Sequence, residues 1–168
     1  MPITMYQASV PVFLKILGNL SDILAKAAAY AEDRKIDPAV LLATRLFPDM
    51  FPLVRQVQIA ADFAKGAGAR LAGIEVPSFA DTETSFAELQ ERLAKTRTFL
   101  AGLRPEQIDG SEEREIIVKG HGMEFRFKGL DYLTAFAIPN YYFHMTAAYA
   151  ILRTCGLDIG KTDFVGPV

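Results

Sequence analysis

The chain has 168 residues, of which 51% are apolar and 23% are charged. These proportions exclude a disordered chain, a coiled-coil rod and a disulfide-stapled miniprotein, and the length suits one domain over residues 1–168. With a net charge of −2 the chain lacks the basic field of a nucleic-acid-binding protein, so no nucleic-acid partner is expected. A single cysteine, no signal-like start and no apolar run of about 18 residues predict a soluble, cytoplasmic protein without a membrane partner.

The first third of the chain has the pattern of one long helix followed by a short one. Apolar residues recur every three or four positions from Thr4 to Arg34, where Pro11 is expected to bend the helix or to delay its start. Asp37 and Pro38 are residue types that favour an N-cap and a first helical position. The prolines of segment 47–52 then indicate an ordered loop, because residues before proline avoid helical dihedral angles.

Two further helices are predicted in the middle of the chain. Helical spacing returns from Pro52 to Ala72, and the many small residues there indicate close approach of another helix. After a linker, Thr82 or Thr84 is expected to cap a third long helix that ends near Leu103. Arg92 and the other charged residues of this helix are expected to face solvent.

The spacing of apolar residues becomes strand-like before the last helix. The runs 115–118 and 123–127, with His121 in the glycine-flanked loop between them, predict a β-hairpin. The last helix is predicted from Leu130 to Thr154, with a kink at Pro139. Four such helices bury their apolar stripes against one another. The sequence therefore predicts an all-α fold, an antiparallel four-helix bundle with a small β-hairpin inserted before the last helix.

The clearest candidate for chemistry is the pair Asn140 and His144, which lie one helical turn apart on one face. A neutral imidazole is a good ligand for zinc or nickel, but a chain with two histidines must add carboxylate or amide ligands. Asp49, Gln58 and Asp62 are the nearest candidates to supply them. The alternative interpretation of His144 is a buried, hydrogen-bonded core histidine.

Two other features near the end of the chain have simpler interpretations. Tyr141, in the aromatic cluster around His144, is a candidate to orient a ligand, with core packing as the alternative. Cys155 follows the end of a helix, where the helix dipole disfavours a thiolate, so a structural role is expected. Segment 156–162 lacks the spacing and the preceding strand of a phosphate-binding loop, which excludes that function.

Several segments together resemble a known family. They are PNYYFHMTAAYAILR at 139–153 with the glycines that follow it, FPDMFPL at 47–53 and ARLAG at 69–73. The match spans most of the chain, which is similar to a family of uncharacterised bacterial proteins grouped with the DinB/YfiT-like metalloenzymes. This resemblance implies a four-helix bundle that is often dimeric, so a homodimer is expected.

The resemblance also implies a metal site. Metal-bearing members of the superfamily use one histidine on the second helix and a His-x-x-x-His pair on the last. In this chain His144 aligns with the second histidine of that pair and Asn140 with the first, while Gln58 or Asp62 lies in the region of the second-helix histidine. The resemblance thus implies His144, Asn140 and Asp62 as ligands of zinc or nickel.

Two functions follow from these observations. The favoured one is a dimeric bundle that binds a small ligand or has a structural role. The candidate pocket residues are His144, Asn140, Tyr141, Asp62 and Gln58. The alternative is a metal-dependent enzyme, of the thiol transferase or hydrolase type, that uses an altered site around His144.

Overall fold

The structure is a computed structural model that describes residues 2–120 and 122–167. The elements, in chain order, are α1 Val10–Arg34, α2 Pro38–Ala43, α3 Leu53–Ala72, α4 Phe86–Ala101, α5 Pro105–Ile108, β1 Glu115–Gly120, β2 Met123–Lys128, α6 Gly129–Asp131, a π-helix Tyr132–Ala137, α7 Ile138–Thr154 and α8 Lys161–Val165. Helix α3 packs on both α4 and α7, and α1 packs mainly on α4. The predicted all-α four-helix bundle, with a hairpin before its last long helix, is confirmed.

Helix α1 begins at Val10 and not at Thr4. Pro11 lies in its first turn, where the missing N–H group needs no partner. Upstream of it the chain forms turns, in which the Ser9 hydroxyl donates to the carbonyl of Met5 at 2.6 Å. Of the two effects predicted for this proline, the delayed start is the one observed.

The close approach of α3 and α4 depends on Gly68. A Cβ at this position would lie 2.7 Å from side-chain carbons of both Leu100 and Leu103. No side chain fits at that distance without displacing its neighbours, so the predicted role of the small residues is confirmed.

Helix α4 starts with a capping box. The Ser85 hydroxyl accepts from the N–H of Glu88 at 3.2 Å, while the Glu88 carboxylate accepts from the N–H of Ser85 at 3.1 Å. The cap is therefore Ser85, and the prediction of Thr82 or Thr84 is wrong.

The hairpin is antiparallel, with Val118 opposite Phe125. Phe127 of β2 packs on Phe136 of the π-helix with ring centroids 5.0 Å apart, which attaches the hairpin to the segment before α7. The predicted hairpin is confirmed, and its loop residue His121 lies outside the described residues.

The last long helix differs from its prediction in one respect. The π-helix Tyr132–Ala137 precedes α7, and Pro139 lies in the first turn of α7 and not in the middle of one helix. A π-helix places more residues in each turn than an α-helix does, so it changes which residues face the core. The expected irregularity is present, but it lies just before Pro139 and takes the form of π-helical turns.

Within residues 2–120 and 122–167, no helix combines the length and the hydropathy needed to cross a lipid bilayer. Charged side chains such as Lys15, Asp22 and Lys26 interrupt the longest helix, α1.

Candidate functional site

His144 is buried, and Gln56 of α3 is its hydrogen-bond partner. Its Nδ1 lies 2.7 Å from the Gln56 Oε1. The Gln56 amide nitrogen donates to the carbonyl of Phe51 at 3.1 Å, which assigns Oε1 as the atom that faces the ring. Nδ1 therefore bears the proton and donates it to Gln56. The other ring nitrogen, Nε2, keeps its lone pair and makes no hydrogen bond with the residues that the structure describes.

The surroundings of His144 favour the uncharged ring. Burial lowers the pKa of His144, and the positive charge of Arg55 lowers it further. The ring stacks on Phe63, with centroids 5.8 Å apart and planes inclined by 16°. Phe143 packs edge-on at 5.2 Å. The imidazole is thus neutral at pH 7 and is held by one polar partner and two aromatic rings.

Asn140 is engaged within its own helix. Its side-chain nitrogen donates to the carbonyl of Phe136 at 2.8 Å. Phe136 lies four residues before Asn140, so this side chain bonds a carbonyl of the preceding turn. This bond orients Asn140 along the junction between the π-helix and α7.

Asp62 takes part in a partly exposed charge network centred on the buried Arg92. Its Oδ1 accepts from Lys65 Nζ and from Arg92 Nη2, each at 2.9 Å. The guanidinium of Arg92 also lies 2.9 Å from Asp81 and 2.9 Å from Glu83, and its side chain is only 1% exposed. The prediction that Arg92 faces solvent is therefore wrong, because linker carboxylates turn inward to neutralise it.

Gln58 and Tyr141 also have internal partners. Gln58 accepts from Arg55 at 3.2 Å and donates to Glu83 at 2.8 Å. Tyr141 is fully buried, its hydroxyl donates to the Phe13 carbonyl at 3.3 Å, and burial raises the pKa of that hydroxyl. Each of these polar groups is therefore already satisfied inside the protein.

The predicted metal ligands are thus divided among different partners. Asn140 donates to backbone, two cations neutralise Asp62, and His144 offers one ring nitrogen. In the described part of the chain, no three His, Cys, Asp or Glu side chains are placed to hold one ion. Zinc and nickel sites take several nitrogen, sulfur or carboxylate ligands, so this donor set does not match such a site. Binding of zinc or nickel by His144, Asn140 and Asp62 stays a prediction.

Sequence reasoning missed Gln56. A signal for it exists, because Gln56 is a polar residue on the buried stripe formed by Leu53, Val57 and Ala60. A glutamine in such a stripe needs an internal partner, and His144 was the unpaired polar group on another predicted core face.

A cavity of about 260 Å³ lies between α3, the hairpin and the π-helix. Its walls are mainly apolar, and the side chains that form them are Ile59, Phe63, Val118, Phe125 and Phe136. Asp62 and Arg70 bring charged groups to it, and Gly120 completes the lining. Of the residues predicted to line a pocket, Asp62 is the one found here. Arg70 and the aromatic residues were not predicted as pocket residues, because their sequence pattern is that of ordinary helix and strand faces.

Comparisons with known proteins agree with this architecture. The family model described as "Domain of unknown function (DUF1993)" matches residues 5–165. The crystal structure of a DinB family member protein from Shewanella denitrificans is 41% identical over 97% of this chain and 92% of that chain, with a TM-score of 0.91. None of the curated proteins matches this chain. The predicted resemblance is confirmed, and the chain belongs to the DUF1993 family of DinB-like proteins of unknown function.

Proposed function

We propose that this protein binds a small, mostly apolar molecule in the cavity between α3, the hairpin and the π-helix. The observation that supports this best is the contrast between that cavity and its surroundings. The polar groups around His144 have internal partners, whereas three phenylalanine rings border open space of about 260 Å³. Ligand pockets in proteins are concave and mainly apolar, with few polar groups that fix orientation.

A second concave region fits this role less well. It measures about 360 Å³ and lies under the linker, where Glu83, Glu88, Glu91, Arg92 and Lys95 line it. Arg92 and Glu83 pair with each other there at 2.9 Å. A ligand in this region would have to compete with ion pairs that already satisfy one another.

The proposal is tested by measuring the binding of an apolar probe before and after a larger side chain is introduced into the cavity wall. 2-Naphthylmethanol is an uncharged aromatic probe, and its binding is measured by ligand-detected NMR. Ile59→Trp places a larger side chain in the cavity wall and is expected to abolish binding. Ile74→Trp is the matched control, because Ile74 follows α3 and is 42% exposed. Absence of binding to the unmodified protein, or equal binding to both variants, contradicts the proposal.

We also propose that the protein is a homodimer. Large apolar side chains are exposed in segment 44–52 and on α7, among them Phe47 at 62% and Phe143 at 58%. Exposed apolar patches of this kind often mark interaction surfaces. Light scattering at micromolar concentration is expected to give twice the monomer mass, and Phe47→Ser with Phe143→Ser to lower it. A monomer in the unmodified protein contradicts the proposal.

The metal-dependent alternative, a thiol transferase or hydrolase type of enzyme, is supported by the free Nε2 of His144. Elemental analysis of protein purified without added metal or a histidine tag tests it, with His144→Ala alongside. Stoichiometric zinc or nickel that is lost in His144→Ala supports this alternative, and absence of metal from the unmodified protein counts against it.

A cytoplasmic location is also proposed, because the single Cys155 cannot form a disulfide within the chain. Cell fractionation tests it, and recovery in an extracytoplasmic fraction contradicts it.

A further inference from the structure

Arg70 is the charged group of the cavity that lacks a charged partner. Its Nη1 donates to the Tyr132 hydroxyl at 3.1 Å, and no carboxylate of the described residues lies within ion-pair distance of it. The other charged group of the cavity, Asp62, is neutralised by Lys65 and Arg92 at 2.9 Å. Among the residues that the structure describes, the cavity therefore contains one half-buried positive charge without an anionic partner, between aromatic walls.

The guanidinium of Arg70 does not serve the end of its own helix. Arg70 lies in the last turn of α3, where a cation often interacts with the final carbonyls. Its side chain instead extends back toward Gly66, one turn earlier, so that a Cβ at Gly66 would lie 2.4 Å from Nη1. The missing side chain at Gly66 thus leaves room for the guanidinium at this position, beside the cavity.

A cation at an apolar wall is stable when an anion can reach it. Partial removal of the guanidinium from water is unfavourable unless charge, hydrogen bonds or an aromatic ring compensate. The Tyr132 hydroxyl uses one of its five N–H groups, and the Tyr132 ring centroid lies 5.9 Å from its Cζ. The planar fork of the guanidinium matches a carboxylate, which it can bind through two parallel hydrogen bonds.

We infer that the ligand of this cavity is a small aromatic or aliphatic carboxylate whose anionic group pairs with Arg70. The apolar body of the ligand packs among Phe63, Phe125 and Phe136. One cation and a small apolar volume suit a monoanion, whereas a phosphate dianion is commonly bound by several donors. This inference rests on the proposed function, since it names the chemical class of the molecule that the cavity binds.

Two matched probes distinguish the contribution of the ligand's charge to binding from the contribution of its apolar body. They are 2-naphthoate and 2-naphthylmethanol, which share one ring system and differ in the carboxylate. The chain contains no tryptophan, so naphthalene fluorescence can be followed without a tryptophan background. We expect 2-naphthoate to bind about tenfold more tightly than the alcohol, because it gains a charge-assisted hydrogen bond to Arg70.

Arg70→Met is the direct test of the cation. It is expected to weaken 2-naphthoate binding about tenfold and to change 2-naphthylmethanol binding much less, because the alcohol loses only an uncharged acceptor's bond. Arg34→Met is the matched control, because Arg34 also lies in the last turn of a long helix and near a tyrosine ring but is exposed. It is expected to bind both probes as the unmodified protein does.

Gly66→Ala tests the position of the charge while Arg70 is kept. Alanine is favoured over glycine in a helix, and the atom that it would meet is the end of a flexible side chain, so this variant is expected to fold. Displacement of the guanidinium is expected to lower 2-naphthoate affinity, with the alcohol unaffected. Circular dichroism and the unfolding midpoint verify that each variant is folded.

The outcomes separate the two claims. If the alcohol and the carboxylate bind equally and Arg70→Met changes neither, the cavity binds apolar molecules but the carboxylate inference is overturned. If neither probe binds the unmodified protein, the proposed function itself fails. Selective loss of 2-naphthoate in Arg70→Met and Gly66→Ala, and not in Arg34→Met, supports the inference.

Discussion

The linker 73–85 contacts α3 directly, whereas the hairpin 115–128 lies across a cavity from α3, and the two segments are held in place by different kinds of contact. In the linker, Glu83 accepts from Gln58 of α3 and pairs with the buried Arg92. The ring centroid of Phe79, also in the linker, lies 4.0 Å from the Nζ of Lys65 in α3. In the hairpin, aromatic rings of β2 pack on Phe136, and a cavity remains between the hairpin and α3. Ion pairs and hydrogen bonds hold the linker in place, whereas aromatic packing holds the hairpin.

This difference bears on where a ligand can bind. A buried charge must be matched by nearby groups of opposite charge, and carboxylates pair with both terminal nitrogens of Arg92, whereas its buried Nε has no hydrogen-bond partner among the described residues. Aromatic contacts are less directional, and a gap between rings borders mainly apolar atoms. The hairpin side of α3 can therefore contain an apolar cavity without the penalty that the linker side would incur.

Removal of Arg92 is expected to have the largest effect on stability. Arg92→Met leaves Asp62, Asp81 and Glu83 near one another without their shared cation. We expect the free energy of unfolding to fall by about 3 kcal/mol, at the low end for a broken buried ion pair, because Asp62 and Asp81 are partly solvated. Urea unfolding at pH 7 measures it.

Arg126→Met on the hairpin is the control for this prediction. Arg126 pairs with Glu115 at 3.0 Å and with Glu124 at 2.6 Å, but its side chain is 59% exposed. Solvent screens such pairs, so little change is expected. A loss as large as that of Arg92→Met would contradict the distinction between the two segments.

The two ends of the hairpin are expected to differ in their tolerance of a methyl group. A Cβ at Gly129 would lie 1.9 Å from the Ser111 carbonyl oxygen, whereas no atom of the described residues other than its chain neighbours lies within 4 Å of a Cβ at Gly120. Gly129→Ala is expected to cost about 2 kcal/mol through forced backbone movement. Gly120→Ala is expected to cost much less, and thermal unfolding of both variants compares them. Equal losses of stability in the two variants would contradict the interpretation that the chain is closely packed at Gly129 and open at Gly120.

The N-cap at the end of the linker is expected to contribute less to the free energy of unfolding than Arg92 or Gly129 does. Ser85→Ala removes the hydroxyl that accepts from the N–H of Glu88, which is expected to cost about 1 kcal/mol. Thr84 is the adjacent residue, and its hydroxyl contacts the Glu88 carboxylate at the exposed surface. If Thr84→Ala lowers the urea midpoint more than Ser85→Ala does, the assignment of the cap is wrong.

The smallest expected effect is a pH dependence at His144. Its pKa is lowered in the folded protein, so below the unfolded value near 6.5 the unfolded chain binds more protons. The free energy of unfolding therefore falls as pH drops through 6.5, and the effect levels off below the folded pKa. In urea titrations, His144→Gln is expected to reduce the decrease in the free energy of unfolding between pH 7.5 and pH 5.5. An unchanged loss would contradict the lowered pKa.

The sequence predicted the architecture well, because periodicity records which faces are buried. The four long helices and the hairpin follow from apolar spacing, and Pro11 marked the delayed start of α1. The π-helix was not predictable in this way. One extra residue in a turn shifts the apolar spacing by a single position, which is within the ordinary variation of an α-helical pattern. The cap at Ser85 was missed because several hydroxyl residues precede α4 and each can act as an N-cap.

The site was less predictable than the fold. His144 was singled out, but its partner Gln56 and the pairing of Asp62 with Arg92 depend on which helices meet. Arg92 was assigned to a solvated face because a charged residue in a helix is usually exposed. Its burial depends on carboxylates that the linker brings from outside the helix, and helical periodicity contains no information about them.

The π-helix has a consequence for the register of the whole last helix. Each residue of an α-helix advances the chain by about 100° around the axis, so an added residue rotates everything that follows relative to what precedes. Phe136 faces the cavity on one side of this junction, and His144 meets Gln56 on the other. Deletion of the exposed Thr134 would alter no side chain at either place, yet it would rotate both together relative to Tyr132 and the hairpin, which precede it in the chain. The orientation of Phe136 and His144 relative to the hairpin thus depends on the number of residues in the π-helix and not on the identity of any side chain that lines the two places.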